Sequence, residues 1–458
     1  MGPNIDRGRM HIVVGLVVTV GIAMLMWTAV APASAVQPGS IAHTFGRGGH
    51  CGVIIAHENA GDNAIQLALN AAAGGKISPA VVCVGPGVYP EQLSITSSGI
   101  SLVGLGTPRN PTVIEPSSVA ANNYANNTNW YPDGTADAAI ILVSNGGAGG
   151  DLGGVNLVNL VIDGAAASSS WNVFPADSCW FTAPFVMPDF TGVMFTGASG
   201  SIVGSTITDV YLPVDQAACE MGQAIDVGLE AVGATTTETV LIANDVISNY
   251  NDAAVWCYAS GATCNILGND MQAYAPYQSI ATAPGGIDIF PGVMGTVEMN
   301  VVSGNNCTNL AAPCGPNIIT QFQGIGLWTL YPAAGTIIKD NVFFDNNVGV
   351  LALGDSATIR HNVFIESTYD AIVVYDGAGN NTISGNAIIN SPTGILVLND
   401  GYGPLTSFNV SVFSSAFYHV PVLLNLSTMS PAGATTVYLL GHAYTASGTQ
   451  TILVTGRC

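Results

Sequence analysis

The sequence predicts an all-β solenoid, a stack of short parallel strands. Three observations predict it. A unit of strand, Asn and strand recurs along the chain, no helical periodicity separates the copies, and 48% hydrophobic content with 55 Gly accompanies only 8% charged residues over 458 positions. An apolar fraction of that size supplies a core, so low charge does not mean disorder here.

The repeat is plainest where residues 336–344, 358–365 and 382–389 are aligned. Each copy has an apolar strand, an Asn (Asn341, Asn362, Asn386) and a second apolar stretch, then a short strand opening at Gly349, Ala371 or Gly394. These Asn residues stand 21 and 24 positions apart. Looser copies run upstream through Asn244, Asn269 and Asn300, followed by strands at Ala254-Val255, Gly286-Ile287 and Gly324-Ile325. One coil cannot bury its own inward side chains, so coils of this period stack, rising about 4.8 Å each. The repeated Asn fits a turn where its amide bonds the same residue of the next coil, forming a ladder. That role is structural and argues against catalysis by these residues.

Around this array the chain divides into three. Arg7 and Arg9 precede an uncharged run over 12–30 and then Ala33-Ser34-Ala35, the pattern of a secretory signal peptide over 1–35. A retained membrane anchor is the alternative, since the run is near the lower limit of a spanning helix. The solenoid is expected over 36–401. Residues 402–458 lack the Asn repeat but keep strand-like runs at 420–426, 436–440 and 451–454, and are expected to form a β-rich cap or covering segment. Residues 63–73, with Ile65, Leu67, Ala68 and Leu69, suit a helix over the open end of the first coil.

Nine cysteines agree with export. Cys257 with Cys264 and Cys307 with Cys314 share a spacing of seven and suit loop-closing disulfides. Cys51 with Cys83 and Cys179 with Cys219 follow only by elimination, Cys458 is left over, and other pairings stay open. Zinc is the rival use, but the sequence has no CxxC pair with a nearby His cluster.

The helical segment is followed by 81–91 (VVCVGPGVYPE), Leu93-Ser94-Ile95 and 100–106 (ISLVGLG), and 158–164 (VNLVIDG) reads as a further coil. In these residues the chain resembles right-handed parallel β-helix proteins of the pectin lyase-like superfamily, and its opening resembles that of pectin methylesterases. The resemblance spans residues 50–400. It implies a right-handed parallel β-helix with an amino-terminal helical cap and long loop insertions, a fold that hosts lyases, hydrolases, esterases, epimerases and non-enzymes. The catalytic patterns it implies are not intact. Asp189-Phe190-Thr191-Gly192 departs from the methylesterase DFIFG-like strand, and no Arg lies between Arg109 and Arg360 for an LGRPW-like segment. The NTD, DD, GHG and RIK patterns of polygalacturonase-like hydrolases are missing. Lyase-like chemistry implies Ca²⁺ and a basic proton abstractor, for which Lys339 and Arg360 are the only Lys and Arg in the later coils; Arg360 and His361 belong to a coil motif first.

Strand parity gives a more positive lead. Residues of the second strands alternate inward and outward, and aligning them at the small residue that opens each puts Ile225, Val255, Ile287, Ile325, Val350, Ile372 and Ile395 in one inward row. Asp226, Trp256, Asp288 and Gly326 then share an outward row, with Tyr258, Phe290, Trp328 and Tyr375 in the outward row beyond. Aromatic rings stack on the apolar faces of sugars, and carboxylates accept their hydroxyl hydrogens. Trp256, Tyr258, Phe290, Trp328 and Tyr375 are therefore the expected substrate-binding residues. Asp226 and Asp288, two coils and about 9–10 Å apart, are the expected catalytic pair, at a spacing that suits inversion; holding Ca²⁺, the one cofactor suggested, is their other use. Packing is the alternative for this face, because Leu351, Val373, Leu396 and Leu398 are too apolar to be left wet. Asp163 and Glu220 are further acidic candidates, and aromatic-bearing insertions at 117–138, 165–190, 211–221 and 272–284 suit the walls of a groove.

Charge narrows the partner. With 8 Lys and Arg against 29 Asp and Glu, net −21, the chain has little with which to neutralise phosphates, which argues against nucleic acid and an anionic membrane surface. The expected protein is secreted or held at the cell surface and binds extracellular polysaccharide or a cell-surface glycan, as a polysaccharide lyase or glycoside hydrolase if it is an enzyme. A non-catalytic cell-surface or adhesion scaffold is the alternative. Scarce Lys and Arg also suit acid, where protonated Asp and Glu would leave few charges to repel one another.

Overall fold

The computed structural model describes residues 51–456 except 56–62, 77–79, 120–137, 146–150, 171–189, 212–221, 229–236, 259, 274–283, 308–313, 319, 322, 355–356, 377–379, 401–406 and 430–433. The expected signal peptide, Cys179, Cys219, Cys458, Glu220 and most of the long insertions lie outside the described residues.

Among the described residues, parallel sheets of 14, 12 and 11 strands are built by taking one strand from each coil in turn. Thr239–Ala243 belongs to the 14-stranded sheet, Val246–Ser248 to the 11-stranded and Ala253–Cys257 to the 12-stranded, after which Thr263–Leu267 returns to pair with Thr239–Ala243. The strands are rich in Val, Ile and Thr, whose branched side chains fit a pleated surface. Their inward residues fill one continuous core, each large aliphatic side chain contributing about 1.5–3 kcal/mol by burial. Within it Phe343 stacks on Phe364 with ring centroids 5.1 Å apart.

In the 12-stranded sheet the inward row is Ile225, Val255, Ile287, Leu327, Val350, Ile372 and Ile395, paired coil to coil and wholly buried. Leu327 replaces the expected Ile325, a correction of two positions. Its cause is the row of small residues just before it, Ala254, Gly286, Gly326, Gly349 and Ala371. A Cβ on Gly286 would lie 2.3 Å from the Gly326 carbonyl oxygen, and one on Gly326 would lie 2.7 Å from that of Gly349. Gly324 is crowded too, a Cβ there lying 2.2 Å from the Asn305 carbonyl oxygen, but the pairing of Leu327 with Ile287 and Val350 puts Gly326 in this row.

The turn between the 14- and 11-stranded sheets carries the ladder. Asn269, Asn300, Asn341 and Asn362 each donate their backbone N–H to the Oδ1 of the next rung at 2.8–3.0 Å, ending at Asn386. The upstream rung is Asp245, whose N–H donates to Asn269 Oδ1. Asn244, the expected rung, instead takes the exposed left-handed turn position before it (φ 57°), as His361 does before Asn362 (φ 55°). The motif that holds His361 is thus a turn, and Arg360 lies on the 14-stranded sheet beside Lys339.

The amino-terminal helix Ala64–Ala73 buries Ile65, Leu69 and Ala72, while Leu67 is exposed. The buried Glu91 carboxylate accepts the Ile65 and Gln66 N–H groups, both at 3.0 Å, which satisfies two orphan donors of the first turn. At the other end the parallel ladder does not stop at 401. Ser407–Phe413, Ala416–Tyr418, Val422–Thr428 and Ala434–Leu439 add further parallel rungs, and only His442–Ser447 and Gln450–Thr455 pair antiparallel, at the edges of two sheets. Cys51–Cys83, Cys257–Cys264 and Cys307–Cys314 are disulfides. No helix among the described residues is long and apolar enough to cross a membrane.

Candidate functional site

The outer face of the 12-stranded sheet carries the residues singled out from the sequence. Pairing across coils places Met194, Asp226, Trp256, Asp288, Trp328 and Leu351 in one row. Trp328 therefore stands next to Asp288, where Gly326 was expected, because the register follows Gly326 inward. Asp226 and Asp288 are two coils apart with Trp256 between, about 9–10 Å along the axis. Leu330 takes the position beyond, pairing with Leu353 and through it with Tyr375. Phe290 bridges the rows, its ring centroid 5.1 Å from Trp256, 5.1 Å from Tyr258 and 6.0 Å from Trp328.

This face changes character along its length. At one end Ala139, Leu142 and Met194 cluster with Tyr258 against them. At the other, Val348, Leu351, Val373 and Leu396 cluster with Ile318, Ile325, Trp328 and Tyr375, so the apolar Leu and Val are covered. Between the two lies a polar window of Thr191, Gln223, Asp226, Asp252 and Asp288. Asp226 is wholly buried and Asp288 is 9% exposed; Trp256, Tyr258, Trp328 and Tyr375 are half-buried.

Hydrogen bonds and burial set the charges. Thr191 Oγ1 donates to Asp226 Oδ2 at 2.7 Å, and Gln223 Nε2 donates to Asp252 Oδ2 at 2.9 Å. Burial pushes the Asp288 carboxyl well above the usual carboxylate range, and the neighbouring charge of Asp252 pushes it the same way. Asp252 is raised chiefly by lost hydration, opposed by the Gln223 amide. Two carboxyls that each disfavour the other's ionisation hold a proton near neutrality. Asp288 Oδ1 and the indole Nε1 atoms of Trp256 and Trp328 are buried without hydrogen-bond partners. Gly285 completes the arrangement: a Cβ there would lie 2.7 Å from both Asp288 carboxyl oxygens.

Asp252, Gln223 and Thr191 were not legible as site residues. Asp252 precedes its strand, and Thr191 and Gln223 lie before the inward small residue, where simple alternation is broken. Asp163 sits elsewhere, on the 11-stranded sheet, its Oδ1 accepting the Ala165 N–H at 2.9 Å. Among the described residues no group of three or more His, Cys, Asp or Glu is placed to hold a metal ion.

Residues 277–410 match the family model described as "Right handed beta helix region". Comparison with curated proteins gives no match. Solved structures align at low identity. An alginate lyase from a Paenibacillus species is 14% identical, over 80% of this chain and 98% of that one, with a TM-score of 0.38. A DFA-IIIase from Arthrobacter chlorophenolicus is 12% identical over 76% and 89%, with a TM-score of 0.42. A surface adhesin of Streptococcus pneumoniae is 13% identical over 86% and 98%, with a TM-score of 0.38. The three ladders of parallel strands and the matched segment make this chain a right-handed parallel β-helix protein.

Proposed function

We propose that this is a secreted protein that binds polysaccharide along the outer face of the 12-stranded sheet, over the polar window, and hydrolyses it there. One observation carries the reading. Asp288 Oδ1 and the two indole N–H groups that flank it in the row are buried with no partner, and the groups around them are the aromatic rings and carboxyls that recognise sugars. Three disulfides in the described residues support an oxidising, extracellular compartment.

In this reading the protonated Asp288 gives its proton to the glycosidic oxygen as the bond to the anomeric carbon breaks. Asp226, oriented by Thr191, takes a proton from the water whose oxygen bonds that carbon. A separation of about 9–10 Å leaves room for this water and suits inversion. The second reading is a non-catalytic scaffold, and the covered apolar clusters at both ends of the face favour it.

Retention of the purified protein on immobilised polysaccharides, with an assay for reducing ends, tests both. Retention that falls in Trp256→Ala and Trp328→Ala, with new reducing ends lost in Asp288→Asn, supports the hydrolase. Retention without product supports the scaffold, and retention unchanged in both Trp variants overturns the glycan site.

A further inference from the structure

We infer that the polysaccharide this face takes is uncharged and that polyuronates are excluded from it. The inference rests on the reading that a glycan lies on the 12-stranded sheet, and it names the substrate class of that same site.

From residue 110 to residue 338 the chain contains no Lys, Arg or His. That stretch supplies Thr191, Gln223, Asp226, Asp252, Asp288, Trp256 and Trp328, together with the loops that connect their strands. Recognition of a sugar carboxylate uses a guanidinium, an ammonium or a bound cation, because its charge must be met when water is removed. Arg109, just before this stretch, lies in a turn outside the 12-stranded sheet, and the first cations that follow the stretch belong to another sheet. Lys339 is held by Glu298 at 2.8 Å, and Arg360 pairs beside it on the 14-stranded sheet. A polyuronate laid along the window would instead meet the carboxyls of Asp226, Asp252 and Asp288 and no cation, so its own charges would lose water with nothing to compensate them.

The groups left without partners describe what does fit. Asp288 Oδ1 is a buried oxygen without a partner, and the Nε1–H groups of Trp256 and Trp328, its neighbours in the row, are buried donors without one. Sugar hydroxyls both donate and accept, so one neutral chain can satisfy all three. The rings of Trp256, Tyr258 and Trp328, half-buried and in contact through Phe290, offer faces and edges to the apolar sides of its rings.

The test compares neutral polysaccharides (β-glucan, xylan, mannan and fructan) with polygalacturonate and alginate in affinity electrophoresis, with Ca²⁺ and with a chelator. The wild type is run beside Trp256→Phe and Trp328→Phe, which keep an aromatic six-membered ring and remove the N–H together with the pyrrole ring that carries it, with thermal unfolding to establish that each variant is folded. The expected result is retardation by a neutral polysaccharide, about tenfold weaker in each Phe variant, and none by the polyuronates. Retardation by a polyuronate that weakens in the Phe variants, with Ca²⁺ or without it, overturns the uncharged class and leaves the glycan face standing. No retardation by any polysaccharide, or retardation of either class that the Phe variants leave unchanged, overturns the glycan face itself.

Discussion

The backbone N–H of Asp245 donates to Asn269 Oδ1 at 2.9 Å, so an aspartate fills a rung that asparagine fills in the following five coils. In the asparagine rungs the side-chain amide donates to a strand carbonyl, Asn269 to Ile242 and Asn300 to Ile266. Asp245 Oδ1 accepts the Ser205 N–H at 2.7 Å, but its Oδ2 is buried with no partner. Burial lifts this carboxyl to about 8, against the pull of the Ser205 amide.

Replacing Asp245 by Asn supplies the missing donor and removes the titration. Asp245→Asn is expected to stabilise the protein at pH 8 by about 1–3 kcal/mol, with the gain vanishing near about pH 3, below the ordinary carboxylate value, where the native carboxyl is mostly protonated both folded and unfolded. Thermal unfolding at the two pH values checks this; a lower Tm for the Asn variant at pH 8 contradicts it.

The same linkage acts on the whole molecule. Burial also raises Asp370, to about 6, and lifts Asp252 and Asp288. Between the ordinary value near 3.8 and the raised ones, the folded chain holds protons that the unfolded chain has released, so stability falls as pH rises. The contribution of Asp370, Asp252 and Asp245 is complete below the ordinary value near 3.8 and is lost by about pH 8, and Asp288 acts in the same direction. Unfolding curves across that interval are expected to show Tm falling steadily with pH. A maximum at pH 8 would sink the prediction, and with it the suitability for acid that the charge balance implies.

The ladder makes two asparagines in similar motifs unequal. Asn341 Oδ1 accepts from the Asn300 backbone and side chain, and its own amide donates to Val297 O and Asn362 Oδ1, all at 2.9–3.0 Å in the core. Asn341→Ala orphans several buried groups and should cost about 2–4 kcal/mol. Asn244→Ala loses a left-handed turn residue at the surface and should cost about 1 kcal/mol. Urea titration ranks the two, and equal losses would mean that the ladder is not what stabilises the turn.

Gly285 isolates the geometry of Asp288. Gly285→Ala puts a methyl group 2.7 Å from both carboxyl oxygens, so the carboxyl must turn. Retention on the bound polysaccharide should fall about tenfold, while Tm drops by only a few degrees, as for a change of about 1 kcal/mol. A variant that binds like the wild type would show that the position of Asp288 does not matter to recognition.

Much of the fold was legible because it follows from short-range pattern. The Asn period specifies coils, the Val and Ile runs specify strands, and close cysteine pairs such as Cys257 and Cys264 can meet only across a tight loop. The site was less legible, because it depends on which residue of one coil lies beside which residue of the next. Gly324 and Gly326 are equivalent on paper; only the pairing of Leu327 with Ile287 and Val350 shows that Gly326 falls in the row of small residues, and that choice moves Trp328 beside Asp288. Asn244 and Asp245 are likewise adjacent candidates for one rung. The left-handed turn takes the first, so a carboxyl enters the ladder.

By itself the sequence determined the class of architecture and the charge of the site region, because both are properties of local composition: a recurring strand and turn, and 229 consecutive residues without a cation. The tertiary structure decided register. A parallel stack has no hairpin to tie one strand to the next, so the alignment of coils is settled by contacts between residues 20 to 40 positions apart, such as Asp226 with Trp256 and Trp256 with Asp288. Those contacts exist only once the coils are stacked.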